Sequence, residues 1–137
     1  VVTTVGVNAV SDAFQGTFTL SNFKFHGLGT GTAAEAAADT TLGTELTTQY
    51  TTNNTRATGT QTEGDGTGGT GTALAHVYRT VGENILDEAV TALTEWGLFS
   101  QAAAPGGTLF DRALFTAQSP SAGMTVKSIY DLTIQGS

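Results

Sequence analysis

The residues with the most chemical potential in this sequence are few. His26 and His76 are its only histidines, fifty positions apart in strand-like runs. A zinc centre needs three or four closely spaced ligands. No Asp or Glu stands at a recognised ligand spacing from either ring, so both histidines read as structural or surface groups. Asp87 and Glu88 are adjacent, and neighbours on a strand point to opposite faces, which gives no carboxylate pair for acid–base work. No Ser occupies a G-x-S-x-G elbow. These residues predict a non-enzyme with no metal and no cofactor.

Two Gly-rich strings invite other chemistry. HGLGTGTAAEA has the raw form of a phosphate-cradling loop ahead of a helix, but lacks the Lys-Ser/Thr of a P-loop and the spacing of a dinucleotide fingerprint. Tight turning is its simpler use. EGDGTGGTG, residues 63 to 71, offers only Glu63 and Asp65 locally, whereas calcium takes six to eight oxygens. It reads as a solvated loop tip. Asn53-Asn54-Thr55 is a glycosylation sequon only in a secreted eukaryotic chain.

The elements that must position these groups follow from composition and period. The 137 residues suit one domain. Only 12% are charged and 39% apolar, with mean hydropathy -0.01. About a fifth of the chain is Thr, a β-branched residue that favours extended backbone. A net charge of -7 with five Lys and Arg gives no footprint for nucleic acid. The absence of Cys excludes disulfides and thiolate metal sites and permits folding in a reducing cytoplasm. VVTTVGVNAV lacks the regions of a signal peptide, and no apolar run approaches the roughly 18 residues that cross a bilayer.

Along the chain, Val1, Val5, Val7 and Ala9 share one side of a period-two pattern, so residues 1–12 read as an extended N-terminal arm or edge strand, with 13–137 a single β domain. Phe14, Phe18 and Leu20 are out of phase with Phe23 and Phe25, which calls for a bulge or turn near Ser21-Asn22. Ala33 to Ala38 predicts one short helix around residues 32–38, capped by Thr32 with Glu35 three positions on. Residues 44 to 62 read as an exposed or edge strand pair with Asn53-Asn54 at the turn. LAHVYRTV reads as a strand and Gly82-Glu83-Asn84 as a turn, while residues 83–96 fit strand and helix periods alike. Leu109 to Phe115 is a compact apolar strand. In MTVKSIYDLTI, Met124, Val126, Tyr130, Leu132 and Ile134 alternate with polar residues, broken only at Ser128 and Ile129. The fold class expected is all-β, an antiparallel β-sandwich or barrel.

Large apolar residues concentrate in TEWGLFSQAAAPGGTLFDRALF, where Gly97 permits a sharp bend or a close approach and Trp96, Leu98 and Phe99 supply burial. Arg112, beside Asp111, is placed to cap this cluster through polar contacts. This segment, together with YRTVGENI, FHGLGTGTAAEAAADTTLGTEL, TRATGTQTEG and the closing MTVKSIYDLTIQ, resembles a module of small structural proteins of tailed bacteriophages, over about residues 22 to 135. The charged run GENILDEAVTA departs from the strand that the module has there.

The resemblance implies a virion protein made in the host cytoplasm and carried on the outer capsid surface. There it would decorate or cement capsomers by binding the major capsid protein and copies of itself, a trimer being the expected oligomer. A tail-fibre or receptor-binding component is the alternative. Val1, Val5 and Val7 in the arm, with Phe99 and Phe110 as docking side chains, are the expected interface. No nucleic acid and no membrane enter as partners.

Overall fold

In the computed structural model, which describes residues 1–136, the chain forms two antiparallel sheets that face each other as a sandwich. The first sheet has the order β2-β1-β5-β6, from Ala57–Thr58, Phe25–Gly29, Leu93–Phe99 and Leu109–Gln118. The second has the order β3-β4-β7, from Thr60–Glu63, Val77–Ile85 and Thr125–Thr133. The chain passes from one sheet to the other across the single residue Gly59, between β2 and β3. A Cβ there would lie 2.0 Å from Thr80 Oγ1. Only glycine allows the crossing.

The main core lies between the sheets and contains Phe23, Leu28, Leu93, Trp96, Leu98 and Phe110, with Val126, Tyr130 and Leu132 of β7 packed against it. Leu46, Tyr50, Leu86 and Val90 extend it into the connecting segments. A second, smaller core of Leu42, Phe99 and Leu109 lies on the other face of the first sheet, beneath the long segment that joins β1 to β2. All seven residues of β5 are buried for that reason. Apolar burial at about 25 cal/mol per Å² is thus collected on both faces of one strand. The dense apolar run of the sequence is this central strand, and Gly97 serves close approach: a Cβ on it would meet Leu42 Cδ2 at 2.8 Å and Leu109 Cδ1 at 2.9 Å.

Several local expectations are corrected. Residues 1–12 are not an extended arm: Thr4–Phe14 is an α-helix, α1, whose N-cap Thr3 accepts a hydrogen bond from the Gly6 N–H at 3.0 Å. Val2, Val5, Ala9 and Val10 also suit a helical face, and the Thr3 cap decides between the two periods. The sandwich's short helix is therefore here and not at residues 32–38, which hold a turn closed by Asp39 N–H to Ala36 O at 3.0 Å. The Ala36 N–H instead donates to Asp39 Oδ2, and Arg112 takes the Ala33 carbonyl that a helix would have used. Tertiary hydrogen bonds outweigh alanine propensity.

Gly82-Glu83-Asn84 is not a turn. It lies inside β4, in register with Ser128, Lys127 and Val126 of β7. The ambiguous run 83–96 resolves into the end of β4, an irregular stretch and the start of β5. Asn53 does sit at a turn, with φ 54. The phase change before Phe23 is a 3-10 turn at Leu20–Asn22. Leu109–Gln118 and Thr125–Thr133 confirm the last two strands, joined through SPSAGM.

Candidate interaction surface and the charged framework behind it

The outer face of the first sheet holds buried charge. Glu95, in the middle of β5, is wholly inaccessible. Its Oε1 accepts the N–H groups of Gly31 at 2.9 Å and Thr44 at 2.8 Å, and its Oε2 accepts Gly43 N–H at 2.9 Å. Arg112, opposite Gly97 on β6, contributes Nε at 2.9 Å and Nη2 at 2.8 Å to Oε2, and its Nη1 reaches Asp39 Oδ2 at 2.9 Å. Burial pushes the Glu95 carboxyl up, but the three N–H groups and the guanidinium outweigh it and leave it below the ordinary carboxylate range. Asp39 is held low by the Ala36 N–H first, with Arg112 adding to the effect.

Arg56 forms a second buried pair. Its Nε and Nη2 bind Glu45 bidentately at 2.6 and 3.0 Å, and its Nη1 donates to the carbonyls of Gln101, Ala103 and Gly106. The guanidinium lies 3.5 Å above the Phe99 ring. Each buried charge is therefore both paired and hydrogen-bonded, the condition under which it is tolerated.

The Gly-rich strings prove to be anion cradles whose anion belongs to the chain itself. Gly31 and Gly43 point their N–H groups at Glu95. In the loop at 63–71, Asp65 accepts from Thr67, Gly69 and Gly71, and Asp131 accepts from Gly66 and Gly68. Arg79 bridges the two carboxylates, at 2.8 Å to Asp65 and 2.7 Å to Asp131. The Thr67 and Gly71 N–H groups hold the Asp65 carboxyl low, and Arg79 does the same for Asp131. No cluster of three or more His, Asp or Glu side chains able to hold a metal occurs among the described residues.

His26, on β1, is fully buried between the sheets, whereas His76 is exposed just before β4. The Trp96 indole N–H donates to Nδ1 at 3.1 Å, Ser128 Oγ lies 2.9 Å from the same nitrogen, and Thr80 Oγ1 lies 3.0 Å from Nε2. Ser128, which broke the alternation of the last strand, is thus an inward-facing polar residue that serves this imidazole. Asp87 and Glu88 are both exposed and join no cluster.

Of the expected interface residues, Phe99 and Phe110 are 1% and 5% exposed, and burial inside the two cores removes them as docking groups. Arg112 lies within the ion-pair framework, while its neighbour Asp111 accepts the Tyr130 hydroxyl at 3.0 Å. Val1 and Val7 are exposed and Val5 half-buried, on and before the helix.

The open surface that the sequence did not single out is a groove between β6 and β7, the free edges of the two sheets. Its walls are Phe115 and Ala113 on one side and Val126 and Ile129 on the other, with Trp96 at its floor. It continues past Met124 and Pro120. Phe115, Met124 and Ile129 are 37%, 53% and 44% exposed. Residues 113 to 125 carry no charge. An uncharged stretch of edge strand beside apolar side chains is the sort of surface that soluble proteins normally blunt.

No family model matches this chain, and no curated protein or solved structure matches it. Among the described residues no helix is long and apolar enough to cross a membrane.

Proposed function

We propose that this chain is a non-enzymatic structural protein of a tailed-phage virion that decorates the outer head surface and cements contacts between capsomers. One observation carries the reading. The segments on which the phage resemblance rests supply the members of two ion-pair groups built around buried side chains: Asp39 and Glu45 from the long Gly-rich segment, Arg56 from TRATG, Glu95 from TEWGLF and Arg112 from LFDR. Those motifs are used to hold loops onto a sheet, which is the work of a scaffold. What these groups leave open is a largely polar surface with an apolar groove between β6 and β7, suited to packing against the major capsid protein or further copies of this chain. A trimer at a capsid symmetry axis is the oligomer we favour.

Cryo-electron microscopy of the native particle tests this directly. Density at regular positions on the outer head, together with lowered heat resistance of capsids stripped of the chain, is the expected result. Density confined to the tail would overturn it in favour of a fibre or receptor-binding component. The feature that favours this second reading is the exposed loop 63–71, which Asp65, Asp131 and Arg79 hold in shape as a ligand-contacting loop would need.

A further inference from the structure

We propose that copies of this chain join by setting Phe14 of one copy into an apolar pocket of the next, beside the 3-10 turn at Leu20–Asn22. The virion reading enters only in the number of copies that such contacts join.

Local structure builds the knob. Phe14 is the last residue of α1 and is 90% exposed, far more than any other aromatic side chain among the described residues. It does not sit on a fraying end. The Gly16 N–H donates to Ala13 O at 3.0 Å and the Thr17 N–H to Asp12 O at 2.9 Å, with Gly16 at φ 77. Glycine in that left-handed position stops the helix and leaves the ring standing clear of the chain. A ring held in advance spares the ordering cost of docking.

The hole lies between the two sheets and has a volume of about 260 Å³. Leu98 and Phe110 wall it from the first sheet and Tyr78 from the second, with Phe23 and Leu20 completing it. Its polar rim is already satisfied. Gln61 Nε2 donates to the Tyr78 hydroxyl at 2.8 Å and to Ser21 O at 3.1 Å, and the Tyr78 hydroxyl donates to Phe23 O. The lining that remains is almost wholly apolar. A dry cavity of about 150 Å³ holds one benzene ring, so the space takes a phenyl group. Phe18, Phe23 and Phe110 already stack in series, with centroids 5.0 and 4.7 Å apart. An entering ring extends that series at a favoured separation.

Charge argues that the occupant is a second copy. Each chain carries -7, so copies repel and can meet only where charge is absent. Residues 13–23, which hold the knob and part of the hole, carry none. Asp12 and Lys24, the opposite charges that bound this run, make no ion pair among the described residues. Docking brings Asp12 of one copy toward Lys24 of the next. Knob and hole are different patches, so the contact is heterologous and closes into a ring, of three copies on the virion reading. The N-terminal segment thus reaches a neighbour as a rigid helix end, where an extended arm was expected.

Sedimentation of the wild type should show a concentration-dependent oligomer. Phe14→Glu and Leu20→Glu should each be monomeric; both side chains are exposed, so both variants keep their fold. Mixed in equal amounts the two should pair, since one still offers a hole and the other a knob. Slowed amide exchange at Leu20–Phe23 should then appear in the Phe14→Glu member alone. Asp12→Lys should weaken assembly by about two- to five-fold, the worth of an exposed ion pair.

A wild type that stays monomeric overturns the proposal, and so does a mixture that fails to pair. Flotation of the monomer with lipid vesicles, lost in Phe14→Glu, would assign the ring to a membrane instead. Head density without self-association sinks this inference and leaves decoration standing. A ring-forming protein absent from heads does the reverse.

Discussion

The indole N–H of Trp96 donates to Nδ1 of His26, and that one bond sets the protonation state of the buried imidazole. Indole nitrogen can only donate. Nδ1 must therefore be the acceptor, and the ring proton sits on Nε2, where it donates to Thr80 Oγ1 at 3.0 Å. Adding a proton to Nδ1 would turn two donors against each other between the sheets.

Acid is accordingly expected to loosen the sandwich in two stages. Burial lowers the His26 pKa from 6.5 to about 4. A depressed imidazole contributes stability that is complete above pH 6.5 and is lost as pH falls toward 4, because only the unfolded chain takes up the proton in that window. The loss amounts to about 3 kcal/mol. Urea unfolding between pH 7 and 4 should show this slope in the wild type and a flatter one in His26→Gln. The carboxylates held low, Glu95, Asp39 and Asp131, add to the loss only as pH falls through the ordinary carboxylate range, where the unfolded chain takes up protons that the folded one does not.

Removing Arg112 should be among the most damaging single changes. Arg112→Met leaves the inaccessible Glu95 without its counter-charge and is expected to cost about 3–5 kcal/mol. Glu95→Gln keeps a side-chain oxygen for both the Gly31 and Thr44 N–H groups, and Arg112 keeps Asp39, so its cost should be smaller, about 1–3 kcal/mol. Equal losses in the two variants on urea titration would contradict this account.

Arg56→Lys tests whether the planar guanidinium matters. Lysine cannot bind Glu45 bidentately, stack on Phe99 and reach three carbonyls at once. A drop in Tm is expected, although the charge is retained.

Gly82 faces the His26 ring, and a Cβ on it would lie 2.4 Å from the ring Cγ. Gly82→Ala should cost about 1–3 kcal/mol through overpacking. Gly136→Ala, where the added atom meets open space, should leave Tm unchanged.

The helix cap makes a milder prediction. Thr3→Ala removes the acceptor for the Gly6 N–H and a side-chain bond to the Leu109 carbonyl, with an expected cost of about 1 kcal/mol or more. Thr3→Ser should restore most of it.

Much of the fold was legible because period two survives wherever a strand has one wet face. The alternation of Val126, Tyr130 and Leu132 marked β7, and the compact run Leu109 to Phe115 marked β6. Misreadings fell where a residue's partners are distant in sequence. Gly82-Glu83-Asn84 has turn chemistry, yet Asn84 spends its side chain on the Ala57 N–H and the His26 carbonyl, and Gly82 makes room for a ring from another strand. The alanine run has helical propensity, but Arg112 claims its carbonyls.

By itself the sequence determined an all-β chain built of short strands, with its apolar mass gathered in one central segment, since β-branched content and side-chain period are local properties. Only the tertiary structure decided where charge is buried. Glu95, Arg112, Asp39, Glu45 and Arg56 are scattered over many tens of residues and look like ordinary surface groups one at a time. They become a framework because antiparallel register sets Gly97 opposite Arg112 and Glu95 beside it, and because a long loop folds its N–H groups onto the carboxylate. The groove between β6 and β7 arises in the same way: two edges meet only once both sheets are stacked, and no linear pattern records that they will.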